Sequence, residues 1–318
     1  AGGLKACGGR ASVPPLLFCG ARAGMAFSMI SPFSRFFPQS LPRPFARWLG
    51  RWAQRLRALG QPAPIPDALW LQTLLAHRFL ARLSSAQQAR LRTLATHFLK
   101  QKEFTGAHGL AVSDAMAVSV AAQACLPLLH LGSARRPQQA LALYGDFVGI
   151  VLHPGPAVAE REQQDAAGVV HRYSEVLLGE AMQGGPVMLS WPDVAAADAL
   201  AARGSNVVIH EFAHKIDMRN GPADGCPPLP AGFMGAQSAR QARQRWHAVW
   251  QPAYERFCDA LAMAERFGAP MPWLDAYAAH SPPEFFAVAC EAHFSAPERF
   301  AQAHPDLAAA LKAAFGQP

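Results

Sequence analysis

The sequence predicts an α+β fold with a helical N-terminal part, a small mixed or antiparallel sheet in the middle, and a helical C-terminal part. Three observations carry that reading. Ala- and Leu-rich segments with helical spacing occupy residues 67–127 and again 239–293. Between them, residues 147–191 hold apolar and β-branched runs punctuated by Gly and Pro. Directly after these comes Asn206-Val-Val-Ile-His210-Glu211-Phe-Ala-His214-Lys-Ile-Asp217, an apolar run leading into two histidines four residues apart.

At 318 residues with 51% hydrophobic and 16% charged content, the chain has the composition of a globular protein. Its net charge of +7 and pI near 9.4 would suit a nucleic-acid binder, but the distribution argues otherwise. The first acidic residue is Asp67, and nine basic residues precede it, which leaves 20 basic and 22 acidic residues in 67–318, a net of −2. Residues 1–66 therefore read as a basic, disordered leader ending in the Pro-rich linker Gln61-Pro-Ala-Pro-Ile-Pro66, and 67–318 as the folded domain. No direct nucleic-acid binding is expected of that domain. The leader is Arg-rich and acid-free like some transit peptides, yet it contains Met25 and Met29 and reads first as an over-long gene start. Its stretch 33–58 is amphipathic and cationic, with Trp48, Leu49, Trp52 and Leu56 against Arg47, Arg51 and Arg55, a pattern suited to a membrane surface or a partner. The most apolar window, 110–131, contains Asp114, Gln123 and Pro127 and reads as a buried helix, so no transmembrane segment is expected. Six cysteines without CxxC spacing exclude a structural zinc finger and point to a reduced, cytoplasmic protein.

In order, helices are expected at 67–82, from a Ser85-x-x-Gln88 capping box to 102, and from Ser113-Asp114 to Pro127. His97, His108 and His130 have no motif around them. Strands follow at 147–152, 174–182 and 186–191, the last two joined as a hairpin through Gln183-Gly-Gly185. The histidine helix is capped by Gly204-Ser205 and stopped at Asn220-Gly221. A Pro- and Gly-rich loop spans 220–235, before helices at 239–267 and 282–293 and a short one near Leu307.

Histidines four apart lie on one face of a helix, where His210 and His214 can offer two imidazole nitrogens to one zinc ion. Glu211, one residue on, is placed to act as general base, the H-E-x-x-H arrangement of zinc hydrolases. The expected core is therefore zincin-like. A third ligand must come from afar, because 217 and 220 are Asp and Asn where a Gly and a third His would be needed, and no Glu lies between Glu211 and Glu255. Glu284, in Asp275-Ala-Tyr277-Ala-Ala-His-Ser281-Pro-Pro-Glu284, is the first choice, with Glu291 two turns on as the alternative and other residues still open. Ser281-x-x-Glu284 also reads as a capping box. Asp217, one turn beyond His214, reads as an imidazole orienter or a plain surface Asp.

These segments, with Gly185-Pro-Val-Met-Leu-Ser-Trp-Pro-Asp193, Phe98-Leu-Lys-Gln-Lys102 and Glu291-Ala-His-Phe-Ser-Ala-Pro297, closely resemble the Mlc titration factor A family of bacteria from about residue 66 onward. The resemblance implies a zinc-dependent, gluzincin-type peptidase whose core is similar to the anthrax lethal factor protease domain. It implies His210, His214 and Glu284 as ligands, Glu211 as base and Tyr277 as the transition-state tyrosine. It also implies aminopeptidase-like activity on small peptide substrates and binding to a Mlc-like transcription repressor of glucose phosphotransferase genes. The chain departs from the family in its leader and in a longer stretch between the motifs. The rival reading is a non-catalytic binding module that sequesters a transcription regulator around a structural zinc; an intact Glu211 speaks for catalysis.

Overall fold

The computed structural model describes residues 62–317 apart from 134, 156, 165–169 and 178. The leader, with its amphipathic stretch, lies outside the described residues, as does Gln61 of the linker. Ile65, just ahead of the proposed domain start, is buried, and its carbonyl accepts a bond from Arg92.

The N-terminal helices are α1 (Asp67–Ala76), α2 (Arg78–Ala81), α3 (Ser85–Gln101) and α4 (Asp114–Cys125). The single helix expected over 67–82 breaks at His77, whose backbone leaves the helical region. Its ring is buried instead and sits 2.7 Å from the Ser119 hydroxyl on α4. The capping box of α3 is real but one residue earlier than expected, between Ser84 and Gln87. α4 is buried along most of its length and packs on both α1 and α3, which is why its sequence is apolar on nearly every face.

The sheet corrects the antiparallel expectation. Its order is β1 (Glu103–Gly106), β2 (Gly149–His153), β6 (Val187–Ser190), β5 (Gly179–Ala181). β1, β2 and β6 run parallel, and only the edge strand β5 is antiparallel, to β6. Parallel neighbours need a long crossover, and α4 with the following 3₁₀ turns supplies it between β1 and β2. The strand expected over 174–182 divides in two. β4 (Val170–Leu177) pairs with β3 (Ala157–Gln164) in a separate antiparallel ribbon, while β5 alone makes the expected hairpin with β6. Ile150, Leu152, Val187 and Leu189 form the buried face of the main sheet.

Two short helices, α5 (Trp191–Ala195) and α6 (Ala197–Ala201), lead into α7 (Val207–Asp217), the histidine helix. Then come α8 (Ala239–Phe267, with Pro252 inside), a 3₁₀ turn at Ala276–Ala279, α9 (Pro282–Ser295), α10 (Pro297–Ala303) and α11 (Pro305–Ala314). α7 packs against β5, β6, α4 and α9. Phe212 on α7 anchors one side, with its ring centroid 4.9 Å from Tyr144 and 5.6 Å from Phe98. Behind α9, Trp246 and Trp250 of α8 stack at 4.5 Å and meet the edges of Phe285 and Phe286. No described helix is long and apolar enough to cross a membrane.

Candidate metal centre

α7 begins at Asn206 rather than at Gly204-Ser205. The Asn206 side-chain carbonyl accepts from the Ile209 amide at 2.9 Å, satisfying one of the unpaired donors at the helix start. With that start, Val208, Ile209, Phe212, Ala213 and Ile216 are buried, and His210 and His214 come to lie one turn apart, their rings 4.8 Å between centroids. α9 starts at Ser281, whose hydroxyl accepts from the Glu284 amide at 3.4 Å. The Glu284 carboxylate does not close a capping box; it turns toward α7.

Three donor atoms converge there. His210 Nε2 and His214 Nε2 are 3.2 Å apart, and each is 3.1 Å from Glu284 Oε2. His210, His214 and Glu284 form the one such potential metal-holding group among the described residues. A triangle of that size has corners about 1.8 Å from its centre, compatible with zinc–nitrogen and zinc–oxygen bonds of about 2.0–2.2 Å.

Glu291 has a different place. Its Oε1 accepts from Nδ1 of His210 at 2.7 Å, on the side of the ring away from Glu284. Its Oε2 accepts from the Asn206 amide at 2.5 Å and from the Ser205 hydroxyl at 3.2 Å. The Asn206 side chain in turn donates to Gln123 at 2.9 Å, and Gln123 meets Ser119, the partner of His77. A buried polar chain thus runs from the site into α4. No lysine or arginine bonds to Glu284 or Glu291 among the described residues, so two largely buried carboxylates are balanced only by imidazoles, a hydroxyl and an amide. A cation fits that donor set. Burial pushes the His210 imidazole down, but the charges and hydrogen bonds of Glu291 and Glu284 outweigh it and hold its pKa well above the usual range. Burial would raise the Glu284 carboxyl, yet hydrogen bonds from both histidines hold it well below the usual carboxylate range.

Glu211 is 4% exposed and lies against β5, where the Gly179 backbone abuts its carboxylate end. Tyr277 sits in the 3₁₀ turn with its ring 6.1 Å from that of His210, and Asp275 fixes the turn by accepting from the Tyr277 amide at 2.9 Å. Both readings of Asp217 are overturned. It is fully buried and bonds no imidazole: Oδ2 accepts from the Gly225 amide at 2.8 Å, and burial pushes its carboxyl up to about 6. Gly225, at φ 78°, passes so close to α9 that a side chain would stand 2.7 Å from the Pro282 carbonyl. Asp217 therefore clamps the Pro- and Gly-rich loop onto the start of the Glu284 helix.

Sequence reasoning passed over Asn206, Lys215 and Gly179. Lys215 is fully buried, and its ammonium bonds the carbonyls of Met182 and Gly185 at 2.5 and 2.9 Å, pinning the β5–β6 turn to α7. A lysine within an apolar helix face was a signal available in the sequence.

A family model described as glucose-regulated metallo-peptidase M90 matches residues 50–316, starting upstream of the residue 66 expected from the motifs. Proteins named Mlc titration factor A are similar over most of the chain. That of Salmonella arizonae is 34% identical over 258 residues, covering 81% of this chain and 92% of its own. That of Klebsiella pneumoniae is 36% identical over 239 residues, covering 75% and 82%. That of Serratia proteamaculans is 38% identical over 246 residues, covering 77% and 85%. With this match and a His/His/Glu cluster at the junction of α7 and α9, the chain belongs to the glucose-regulated metallo-peptidase M90 family.

Proposed function

We propose that the chain is a zinc-dependent peptidase that hydrolyses peptide bonds, with aminopeptidase-like action on small substrates. The observation that carries this is the convergence of His210, His214 and Glu284 beside a buried carboxylate, Glu211, that is not part of the donor triangle. His210, His214 and Glu284 would hold one zinc ion. When bound, that ion supplies Lewis acidity and acidifies a water. With the ion bound, Glu291 would accept the Nδ1 proton of His210 and so leave Nε2 to the metal. Glu211 accepts the proton of the attacking water and passes it to the leaving amine. The Tyr277 hydroxyl, on an exposed side chain at the mouth of the site, donates to the developing oxyanion. β5 lies at the sheet edge among the described strands, so it can hold an extended peptide by main-chain pairing. A structural site has no use for a buried base, which favours hydrolysis over the binding-module reading. The relatives' name supports a Mlc-type repressor as a further partner, to be tested by co-purification with such a repressor. The four described cysteines are free thiols, which supports a cytoplasmic setting.

The test is Glu211→Gln. It should keep zinc, because Glu211 is not among the ligands, and lose at least ~100-fold in kcat/KM on a chromogenic peptide. Unchanged turnover in the zinc-loaded variant would sink the mechanism, and absence of zinc in the purified wild type would sink the metal assignment.

A further inference from the structure

Gly179 opens β5 and pairs with Leu189 across the hairpin. Residues directly opposite on paired strands share a face, so Gly179 and Ala181 lie on the face of the buried Leu189 and Val187. That face packs on α7. A Cβ at 179 would stand 2.5 Å from Glu211 Oε1, 2.6 Å from its Cγ and 2.8 Å from its Cδ, all closer than non-bonded heavy atoms approach. The backbone at 179 does not explain the glycine. Its φ is outside the left-handed region that the chain's turn glycines adopt, so any residue could take the conformation. Two residues on, the same face carries Ala181. Space, not backbone freedom, is what glycine provides at 179, and Glu211 fills that space.

We infer that Gly179 is a positioning residue for Glu211: the bare backbone of the edge strand is the wall that holds this carboxylate in one rotamer beside the donor triangle. The inference rests on the reading of Glu211 as the base. A methyl group at 179 leaves Glu211 no room where it stands, and the side chain must swing to another rotamer about its own Cα. The strand that would receive the substrate then also sets the position of the group that activates the water. The three atoms nearest a Cβ at 179 all belong to Glu211 and none to a metal donor, so the ion should be held as before.

The test is a cycle of four zinc-loaded proteins: wild type, Gly179→Ala, Glu211→Ala and the double variant. In the wild-type background Gly179→Ala should lower Tm by about 3–6 °C. In the Glu211→Ala background it should lower Tm by less than ~1 °C, because the methyl enters vacated space. Zinc affinity should stay within about threefold, since no ligand or ligand-orienting group is touched. On a peptide substrate kcat should fall at least tenfold with KM within about threefold, the pattern of a lost transition-state interaction. Equal Tm shifts in both backgrounds, or kcat within twofold of wild type, would overturn the inference. A Gly179→Ala chain that folds only when Glu211 is also replaced supports it, and one that fails in both backgrounds overturns it. An active Glu211→Gln protein would sink the peptidase mechanism alone, since the Tm cycle still reports whether the strand fixes that side chain.

Discussion

Glu284 and Glu291 share one helix two turns apart, and their surroundings give them different work. Glu284 Oε2 meets the Nε2 atoms of both histidines, whereas Glu291 meets only the far nitrogen of His210 and the start of α7. Glu284→Ala should therefore abolish tight zinc binding. Glu291→Ala should weaken it by about 10–100-fold, the range for a group that only orients a ligand. Competition against a chromogenic chelator measures both, and the reverse order would exchange their roles. At this scale the sequence was informative where chemistry demands a residue type at a fixed spacing. The two histidines and the adjacent Glu were legible because the helix period alone places them. The choice between Glu284 and Glu291 was not, because both lie on nearly the same helical face and only the packing angle of α9 on α7 decides which one reaches Nε2. Gly179 was illegible for a simpler reason: an absent side chain leaves no pattern.

α7 is held at its first turn by a single residue with three attachments. Asn206 caps the helix through its carbonyl, donates to Gln123 through its amide, and offers its backbone N–H to Glu291. Asn206→Ala removes the cap, typically worth ~1 kcal/mol, and leaves the buried Gln123 oxygen without its donor, a further ~1–3 kcal/mol. A loss of about 2–4 kcal/mol in urea unfolding is expected. Zinc affinity should drop less than in Glu291→Ala, because the backbone bond to Glu291 remains. A variant as stable as wild type would show that the buried polar chain contributes little. Long periodic helices such as α3, α8 and α9 were readable to within a few residues. β1 was not, because Glu-Phe-Thr-Gly is too short to show an alternation. Missing β1 hid the parallel order of the sheet, and a strand of three residues that opens on a glycine, β5, merged with its neighbour β4 in the sequence pattern.

Across the whole molecule, two buried histidines outside the donor triangle add to acid sensitivity. Burial lowers His77 to about 4 and His293 to about 4, from 6.5. Each is neutral in the folded chain where the unfolded chain already carries a proton. Stability from each is thus intact above pH 6.5 and is lost as pH falls through about 4, on the order of 3 kcal/mol apiece. Asp217 acts in the opposite sense: its carboxyl, raised by burial to about 6, favours the folded state at low pH and loses that contribution as pH rises through 6. His293→Gln should therefore gain on wild type by roughly 3 kcal/mol between pH 7 and pH 4, measured by urea unfolding of both at each pH. A difference that stays flat with pH would refute the burial argument. The long separation between the two halves of the site has a consequence for synthesis. His214 and Glu284 are 70 residues apart along the chain. A ribosome that has released α7 has displayed both histidines and Glu211, while Tyr277, Glu284 and Glu291 are still to come. In the peptidase reading, an unfinished chain has no working centre with which to cut itself or its neighbours, and hydrolytic capacity begins only once the final helices have emerged and docked.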